Sequence, residues 1–446
     1  MALNFQLKQR IKMFSQNVYL PAVYNFHRCQ KVDRKLVIFA DAHHDSRPEA
    51  MELLYRRLRY GSILQANERQ EDTDDSAVRK QTQQKSDSFH IVEMYLDFSK
   101  ASAKQILAYS THFMKLYACA SVVVICDNFL PVASCRKKKD TLVIQLWHGC
   151  GCYKKFGYDA PDDIPEGYKG DVFRNMDLVT VSAEAAVGPF SSAMHKTHGE
   201  VQPLGVSRTD LYYSESWRES CIRNFMRRYP GAYEESQNAL HKRKKIVLWA
   251  PTFRGNAGKP ELLNLDTEKL QKELGDDYLV LTRVHPHMKE AQKALKANCP
   301  IPTEQLYPVV DVLIADYSSL IYEYLLVKRI WREEELKETS KETPKETSPK
   351  IPKAEETGGL VLYAPDLGEY QSRRGFYMDI HEIPGEIVRK EKELTAAVRR
   401  ASGQESVSQK SDAFLNRYMS ACDGQATERI AGRIRGCCAE AAQSLK

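Results

Sequence analysis

The sequence lacks any apolar run long enough to cross a membrane. Its longest uninterrupted apolar or small stretch covers residues 116–126 and ends at Asp127, whereas a spanning helix needs about 20 residues. It also lacks the pattern of a signal peptide, because residues 1–22 mix basic and apolar side chains without a central apolar block or a cleavage site. These absences predict a protein that stays in the cytosol and is not integral to the membrane.

Disulfide, zinc and nucleic-acid signals are also missing. The eleven cysteines are odd in number and scattered, which is unsuited to a disulfide framework. Cys150 and Cys152 are separated by one residue and have no matching second pair, so we expect no zinc site. No acidic cluster indicates a Mg²⁺ cage, which leaves that ion as an open alternative only, and we expect no cofactor. The formal charge of +6 is too small to argue for a nucleic-acid partner.

What is present is an alternation of apolar strands with helical segments over a chain of 446 residues, enough for two or three domains. Such alternation predicts parallel sheets with helices on both faces. The predicted strands cover residues 36–40, 91–95, 121–125, 142–146 and 178–181, then 246–250, 278–282 and 312–315. The fold class is therefore α/β, with two doubly wound halves that face each other across a cleft.

Composition divides the chain further. We expect a basic amphipathic segment at 1–35, a first Rossmann-like domain at 36–215, a second at 240–403 and C-terminal helices at 404–446. Each domain contains a polar insertion predicted to be disordered, at about 65–88 and about 332–356. The second insertion repeats Lys-Glu-Thr every four residues and contains three prolines, so it cannot form a core.

Unusual residues follow the predicted strands at their carboxyl ends, where open α/β sheets bind ligands. After residues 142–146 come His148, two glycines, Lys154 and Lys155. A histidine beside flexible glycines can approach a substrate and act as a general base near neutral pH. A histidine that caps the turn explains the same residues equally well. Each of these motifs alone is a weak signal, but their repetition across both halves favours a site.

The second half offers three more such turns. Arg254 follows residues 246–250 and is suited to a phosphate, although a lone arginine is more often a surface ion-pair partner. Arg283 and His285 alternate after residues 278–282, so both point to one face if the strand continues. Asp316, Ser318 and Ser319 follow residues 312–315 at the start of a helix, where free N–H groups bind anions. Simple N-capping by Asp316 or a serine is the competing explanation.

An ordered set of motifs resembles the CDP-glycerol glycerophosphotransferase family of teichoic acid and capsule biosynthesis. The set comprises Trp147-His148-Gly149 with Lys154-Lys155, Pro251-Thr252-Phe253-Arg254, Arg283-Val284-His285-Pro286, Asp316-Tyr317-Ser318-Ser319 and Tyr363-Ala364-Pro365-Asp366. The resemblance covers roughly residues 36–436 without the two insertions. It implies a GT-B fold, with acceptor elements in the first domain and the nucleotide donor mainly in the second.

The resemblance also implies the reaction and its partners. A hydroxyl of a polyprenyl-linked acceptor attacks the phosphate that bears the polyol, and CMP leaves, in a phosphotransferase reaction for substituted phosphate groups. His148 matches the family's essential histidine of the first domain and takes the role of base. His285 matches that of the second, where Arg283 helps it to bind the diphosphate. Ser318, Ser319 and Arg254 would contact phosphate, with Asp316, Lys154 and Lys155 as weaker candidates.

The same resemblance predicts a cytosolic enzyme that is peripheral on the inner face of the cell membrane. The N-terminal segment is then a candidate membrane contact, since cationic side chains favour anionic lipids. A helix docked on the first domain is the other interpretation. The little sequence ahead of the first strand favours a primase or single-transfer enzyme, and a polymerase that adds many units stays an open alternative.

One departure concerns the polyol. Many family members read Thr-Pro-Leu after Trp-His-Gly, whereas this chain has Cys150-Gly151-Cys152-Tyr153. That small-residue turn is similar to the turn of transferases that act on ribitol. We expect CDP-glycerol as donor, with CDP-ribitol as the first alternative. A GT-B glycosyltransferase that uses a nucleotide sugar and a non-catalytic relative that binds acceptor are the remaining alternatives.

Overall fold

The computed structural model describes residues 5–61, 89–161, 163–164, 170–232, 243–256, 259–263, 265–284, 299–339, 358–403 and 407–443. The insertion predicted at about 65–88 therefore lies outside the described residues, as does most of the second one. His285 lies outside them as well.

Thirteen strands occur within the described ranges. They are β1 (Asp33–Asp41), β2 (His90–Tyr95), β3 (Ala120–Ile125), β4 (Leu142–Gln145), β5 (Leu178–Thr180), β6 (Val201–Gln202), β7 (Lys245–Trp249), β8 (Phe253–Asn256), β9 (Lys259–Leu262), β10 (Tyr278–Thr282), β11 (Val312–Ala315), β12 (Gly359–Tyr363) and β13 (Glu386–Val388). All eight strands predicted from apolar runs are confirmed.

The α-helices of the same ranges follow the predicted alternation. They are α1 (Phe5–Phe14), α2 (Leu20–His27), α3 (Glu49–Tyr60), α4 (Ala103–Tyr117), α5 (Leu130–Ala133), α6 (Val187–Met194), α7 (Glu215–Arg228), α8 (Thr267–Leu274), α9 (Thr303–Leu306), α10 (Leu320–Thr339), α11 (Leu367–Arg373), α12 (Leu394–Ala401), α13 (Val407–Tyr418) and α14 (Ala426–Gln443). Among the described residues, none of these helices is both long and apolar enough to cross a membrane.

The first of two compact units contains residues 1–148, 165–211 and 421–446. Its sheet has the order β2-β1-β3-β4-β5-β6, and every neighbouring pair is parallel. Strand β3 is buried along its whole length, as a parallel strand covered on both faces must be. Its Val122 and Val124 pack with Leu54 of α3 and Ile430 of α14 in one apolar core.

The second unit contains residues 149–164 and 212–420. Its main sheet has the order β10-β7-β11-β12-β13, again all parallel, and β8 and β9 form a separate antiparallel hairpin. The core includes Val247 of β7 and Ile314 of β11, which pack with Leu270 of α8 and Val398 of α12. Two doubly wound parallel sheets confirm the predicted α/β class.

The two units divide the chain differently from the boundaries drawn on the sequence. Residues 149–164 group with the second unit, although composition placed them in the first domain. The C-terminal helices also separate, because α13 belongs to the second unit and α14 to the first. Helix α14 is fastened there by Asp210, whose carboxylate accepts hydrogen bonds from the N–H groups of Ala426 and Thr427 and so caps the helix.

The second insertion starts later than predicted. Composition indicated a flexible loop from Arg332, but α10 continues to Thr339, so the prediction is wrong for those eight residues. Lysine and glutamate have good helix propensity. The side of α10 that carries Arg332 also contacts α13. Arg332 donates two hydrogen bonds to Asp412 of α13, at 2.6 and 2.7 Å.

Candidate functional site

The predicted base, His148, follows β4 at the carboxyl edge of the first unit's sheet. The preceding residue, Trp147, has a left-handed backbone with φ of 58°, which is rare for a bulky side chain and marks a constrained turn. Its ring stacks on the imidazole with 4.5 Å between centroids. Arg208 donates a hydrogen bond of 2.8 Å to the carbonyl oxygen of His148. The imidazole is therefore fixed by its neighbours while its side chain stays 54% exposed.

Carboxylates lie at the same edge. The Oδ2 atom of Asp127, two residues beyond β3, is 3.3 Å from Nδ1 of His148. At the end of β1, Asp41 is buried and its Oδ2 accepts hydrogen bonds from the N–H groups of His43 and His44 and from Nδ1 of His44. Burial opposes ionisation of Asp41, but the bonds from His44 and His43 lower its pKa overall. The hydrogen bond with Asp41 raises the pKa of His44.

In the second unit, Arg254 and Asp316 contact each other, with Nη1 and Oδ2 at 2.7 Å. Arg254 also donates to both carboxylate oxygens of Asp366, at 2.6 and 3.1 Å, and to the carbonyl oxygen of Thr252. Its guanidinium lies over the rings of Tyr317 and Tyr370, 4.7 and 5.2 Å from their centroids. The arginine thus ties together the loops that follow three strands of the sheet, β7, β11 and β12.

Asp316 has the same linking role. It is fully buried, and its carboxylate accepts hydrogen bonds from the N–H groups of Thr252 and Tyr317. Arg254 and Asp316 therefore hold together the loops that follow β7, β11 and β12. A buried ion pair of this kind is costly to break, since the remaining charge is left unpaired.

Ser318 and Ser319 precede α10 and are partly exposed at its first turn. Ser318 Oγ accepts a hydrogen bond of 3.4 Å from the N–H of Leu320, so this serine also caps the helix. A helix of 20 residues directs a partial positive charge at its N-terminus. Such an N-terminus favours an anion, and the capping that the sequence offered as the competing explanation is present for Ser318.

The two lysines differ sharply in their surroundings. The backbone of Lys154 pairs with that of Phe376 in an isolated antiparallel bridge, and burial, followed by the charge of Arg374, lowers the pKa of Lys154 to about 8. The carboxylates of Asp316 and Asp163 oppose that shift. Lys155 contributes its backbone, donating N–H to the carbonyl oxygen of Gly375 and accepting a bond from Arg374. The ammonium of Lys154 is therefore easier to deprotonate than that of an ordinary lysine.

Arg283 follows β10, and its N–H donates to the carbonyl oxygen of Trp249 at the end of β7. Its Nη1 donates to the carbonyl oxygen of Cys299 at 3.1 Å, whereas its buried Nε has no partner among the described residues. The structure thus brings Arg254, Asp316 and Lys154 into mutual electrostatic range in the second unit. It places His148 in the first unit. Within the described residues, no group of His, Cys, Asp or Glu side chains is arranged to hold a metal ion.

Sequence reasoning missed Asp127 and assigned no role to Asp366 or Tyr317, although both of these stand in the motifs that carry the resemblance. Tyr317 donates a hydrogen bond of 3.0 Å to Asp366, which completes the partners of that carboxylate. The signal that could have found the two aspartates is the one that found the others, because both follow apolar strands within three residues.

Comparison with known proteins identifies the group to which these units belong. The chain is similar to the solved structure of the wall teichoic acid polymerase TagF, with a TM-score of 0.62, 18% identity and coverage of 98% of this chain and 100% of that one. This match confirms the GT-B-like fold. The family described as CDP-glycerol:poly(glycerophosphate) glycerophosphotransferase matches residues 22–331 and 360–436. The chain belongs to that family, as its motifs predicted, and is a transferase of teichoic acid synthesis.

Individual relatives include enzymes named for two polyols. A teichoic acid ribitol-phosphate primase of Bacillus spizizenii is 31% identical over 346 residues, which cover 73% of this chain and 78% of the relative. A teichoic acid glycerol-phosphate primase of Bacillus subtilis is 27% identical over 282 residues, which cover 59% of this chain and 61% of the relative.

Proposed function

We propose that this chain transfers ribitol phosphate from CDP-ribitol to a hydroxyl of a polyprenyl-linked acceptor, with release of CMP, as a teichoic acid primase. The observation that supports ribitol is the similarity to the ribitol-phosphate primase, which extends over 73% of this chain. The sequence alone favoured CDP-glycerol. The glycerol-phosphate primase and the family description support glycerol as the second candidate.

The chemistry requires a base for the acceptor hydroxyl and positive charge around the donor phosphates. His148 takes the hydroxyl proton as the acceptor oxygen forms a bond to the phosphorus that bears the polyol. The bond between that phosphorus and the CMP oxygen breaks, and CMP leaves with the electron pair. The exposed imidazole supports this role, because its ring is fixed by Trp147 while its side chain stays open to solvent.

The second unit would hold the donor. Ser318 and Ser319 present hydroxyls and N–H groups at the first turn of α10, and Lys154 supplies an ammonium that bound phosphate would keep charged. Arg283 would add a second cation at the end of β10. The role of His285 rests on the resemblance alone, because that residue lies outside the described part of the chain. Arg254 and Asp316 shape these loops.

The N-terminal helices would contact the inner face of the membrane. Leu20 and Tyr24 are buried against the first unit, where Tyr24 packs on Tyr117. Ile11, Phe14 and Val18 are 52, 61 and 52% exposed. Spacings of three and four residues place these three on one side of the helical segment, next to basic side chains. Such a surface suits an anionic lipid interface.

The experiment that tests the reaction compares donors. Purified protein is given CDP-ribitol or CDP-glycerol together with a membrane fraction that supplies lipid-linked acceptor, and CMP is measured. Acceptor-dependent release from CDP-ribitol, at a rate well above that from CDP-glycerol, is the expected result. The reverse preference would establish the glycerol enzyme. Release from neither donor, with folded protein and acceptor verified by a known transferase, would overturn the proposed reaction.

A further inference from the structure

Two adjacent strands of the first unit bring a carboxylate to the proposed base. Strands β3 and β4 are parallel neighbours, in register at Ile125 and Gln145. Asp127 lies two residues beyond the first position and His148 three beyond the second. Their side chains meet beyond the edge of the sheet, with 3.3 Å between Oδ2 of Asp127 and Nδ1 of His148.

The buried side chain of Gln145 links the two turns that carry this pair. Its Nε2 donates a hydrogen bond of 3.1 Å to the carbonyl oxygen of Asp127. Its Oε1 accepts one of 3.0 Å from the N–H of Trp147. One amide, fully buried in the sheet, therefore fixes the backbone on both sides of the contact. This connection distinguishes the pair from an ordinary surface contact, in which both partners are free to move.

The imidazole itself is restricted on one face. Trp147 stacks on it with an angle of 26° between the ring planes, and Arg208 binds the carbonyl oxygen of His148. With Nδ1 beside a carboxylate, Nε2 is the nitrogen left for a substrate. Which nitrogen of a neutral histidine carries the proton is set by the partner of the other.

We infer that Asp127 is a positioning residue for His148. Its carboxylate keeps the proton on Nδ1, so that Nε2 presents the lone pair that accepts the proton of the acceptor hydroxyl. Contacts of this kind are often long without substrate and shorten when it binds. The catalytic consequence rests on the proposed function, whereas the tautomer is a property of the protein alone.

The first test needs no substrate. Protein with ¹⁵N-labelled histidine is observed by NMR at pH 8, and the signals of His148 are assigned by their loss in His148→Ala. The expected spectrum shows the proton on Nδ1 in the wild type and its movement to Nε2 in Asp127→Ala. A wild-type His148 that carries its proton on Nε2 would overturn the inference, whether or not the protein proves to be a transferase.

The second test measures rates. We expect Asp127→Ala to lower kcat by at least about tenfold, because the histidine then loses the carboxylate that holds its tautomer, with the donor KM unchanged. Asp127→Glu should recover part of that loss, and in the His148→Ala background Asp127→Ala should cost nothing further. Asp140, which pairs with Arg34 and precedes β4 at the opposite end of the strand, is the matched control, and Asp140→Ala should keep full kcat.

Several outcomes separate the two claims. Full kcat in folded Asp127→Ala, with His148→Ala inactive, would refute the positioning role and leave the proposed function intact. The same loss in both backgrounds would also refute it, because the carboxylate would then act independently of the histidine. No turnover by the wild type would refute the proposed function, and the NMR measurement would still decide the tautomer.

Discussion

Gly151 lies directly against the ring of Tyr322. A Cβ atom built on this glycine would be 2.2 Å from the Cζ atom of the tyrosine, and the glycine has a φ of +67°. Tyr322 is itself fully buried and stacks on Phe414, with 5.0 Å between centroids. Gly151, one of the small residues that distinguish this turn from the Thr-Pro-Leu version, is therefore required by packing within the second unit.

This contact predicts the effect of adding a methyl group. Gly151→Ala should lower the free energy of unfolding by roughly 2–4 kcal/mol, since the strain of positive φ adds to overpacking. Urea unfolding measures the change. Gly432→Ala is the control, because its Cβ would meet nothing within 4 Å in α14 and alanine favours a helix. An unchanged stability of Gly151→Ala would contradict the packing explanation.

Arg254 should matter more for the fold than for direct contact with substrate. Arg254→Ala leaves the buried carboxylate of Asp316 without its partner, and we expect a loss of about 3–5 kcal/mol in the free energy of unfolding. Arg254→Lys should also lower the free energy of unfolding, because lysine cannot form the bidentate contact with the carboxylate of Asp366.

The matched control is Arg400→Ala, which removes an exposed pair with Glu386 and should leave stability close to that of the wild type. If Arg254→Ala kept wild-type stability and lost only donor affinity, Arg254 would be a ligand contact instead, as the sequence had suggested.

The pKa of Lys154 predicts how donor binding depends on pH. Its pKa is lowered to about 8, and donor phosphates favour the charged amine. Affinity for CDP-ribitol should therefore be fully present below pH 8 and fall as the pH rises above it, by up to about tenfold per unit. Calorimetric titration between pH 7 and 9 measures this slope.

Two variants assign the slope to this lysine. Lys154→Arg should bind donor without the loss above pH 8, because arginine stays charged, whereas Lys155→Met should keep the wild-type slope. A wild-type affinity that is constant from pH 7 to 9 would rule out the ammonium of Lys154 as a donor contact.

The N-terminal surface predicts lipid binding. Wild-type protein should bind vesicles that contain phosphatidylglycerol and bind phosphatidylcholine vesicles weakly, and high salt should weaken the first interaction. Replacing Ile11, Phe14 and Val18 with serine should reduce binding by about tenfold or more, as measured by cosedimentation. Met226→Ser removes an exposed apolar side chain of α7 and is the control. Equal binding by the triple variant would contradict the proposed membrane contact.

The sequence was informative about structural features that depend on a single strand or turn. Apolar runs such as 121–125 predicted buried parallel strands, because a strand covered on both faces must be apolar throughout. Because these strands were predicted, His148 and Ser318 could also be placed just beyond the ends of their strands. The prediction of a loop from Arg332 was wrong because the helix there depends partly on a contact with Asp412, which lies 80 residues later in the chain.

The roles of the charged residues could not be read in the same way. The sequence makes Arg254 a candidate phosphate contact but does not show its partners Asp316 and Asp366, which lie 62 and 112 residues later and meet it only in the fold. Asp127 was missed although it follows a predicted strand, because its significance depends on the adjacent strand that carries His148. Pairing between distant segments is the information that a single sequence does not show.

The most direct test of His148 as the general base is the His148→Ala variant, measured for both turnover and donor binding. Acceptor-dependent CMP release should fall by about 10²- to 10⁴-fold, while calorimetry shows CDP-ribitol binding close to wild type, since the proposed donor contacts lie in the second unit. His90→Ala, an exposed histidine at the start of β2, should behave as the wild type. Full turnover by His148→Ala would contradict the role of His148 as the base.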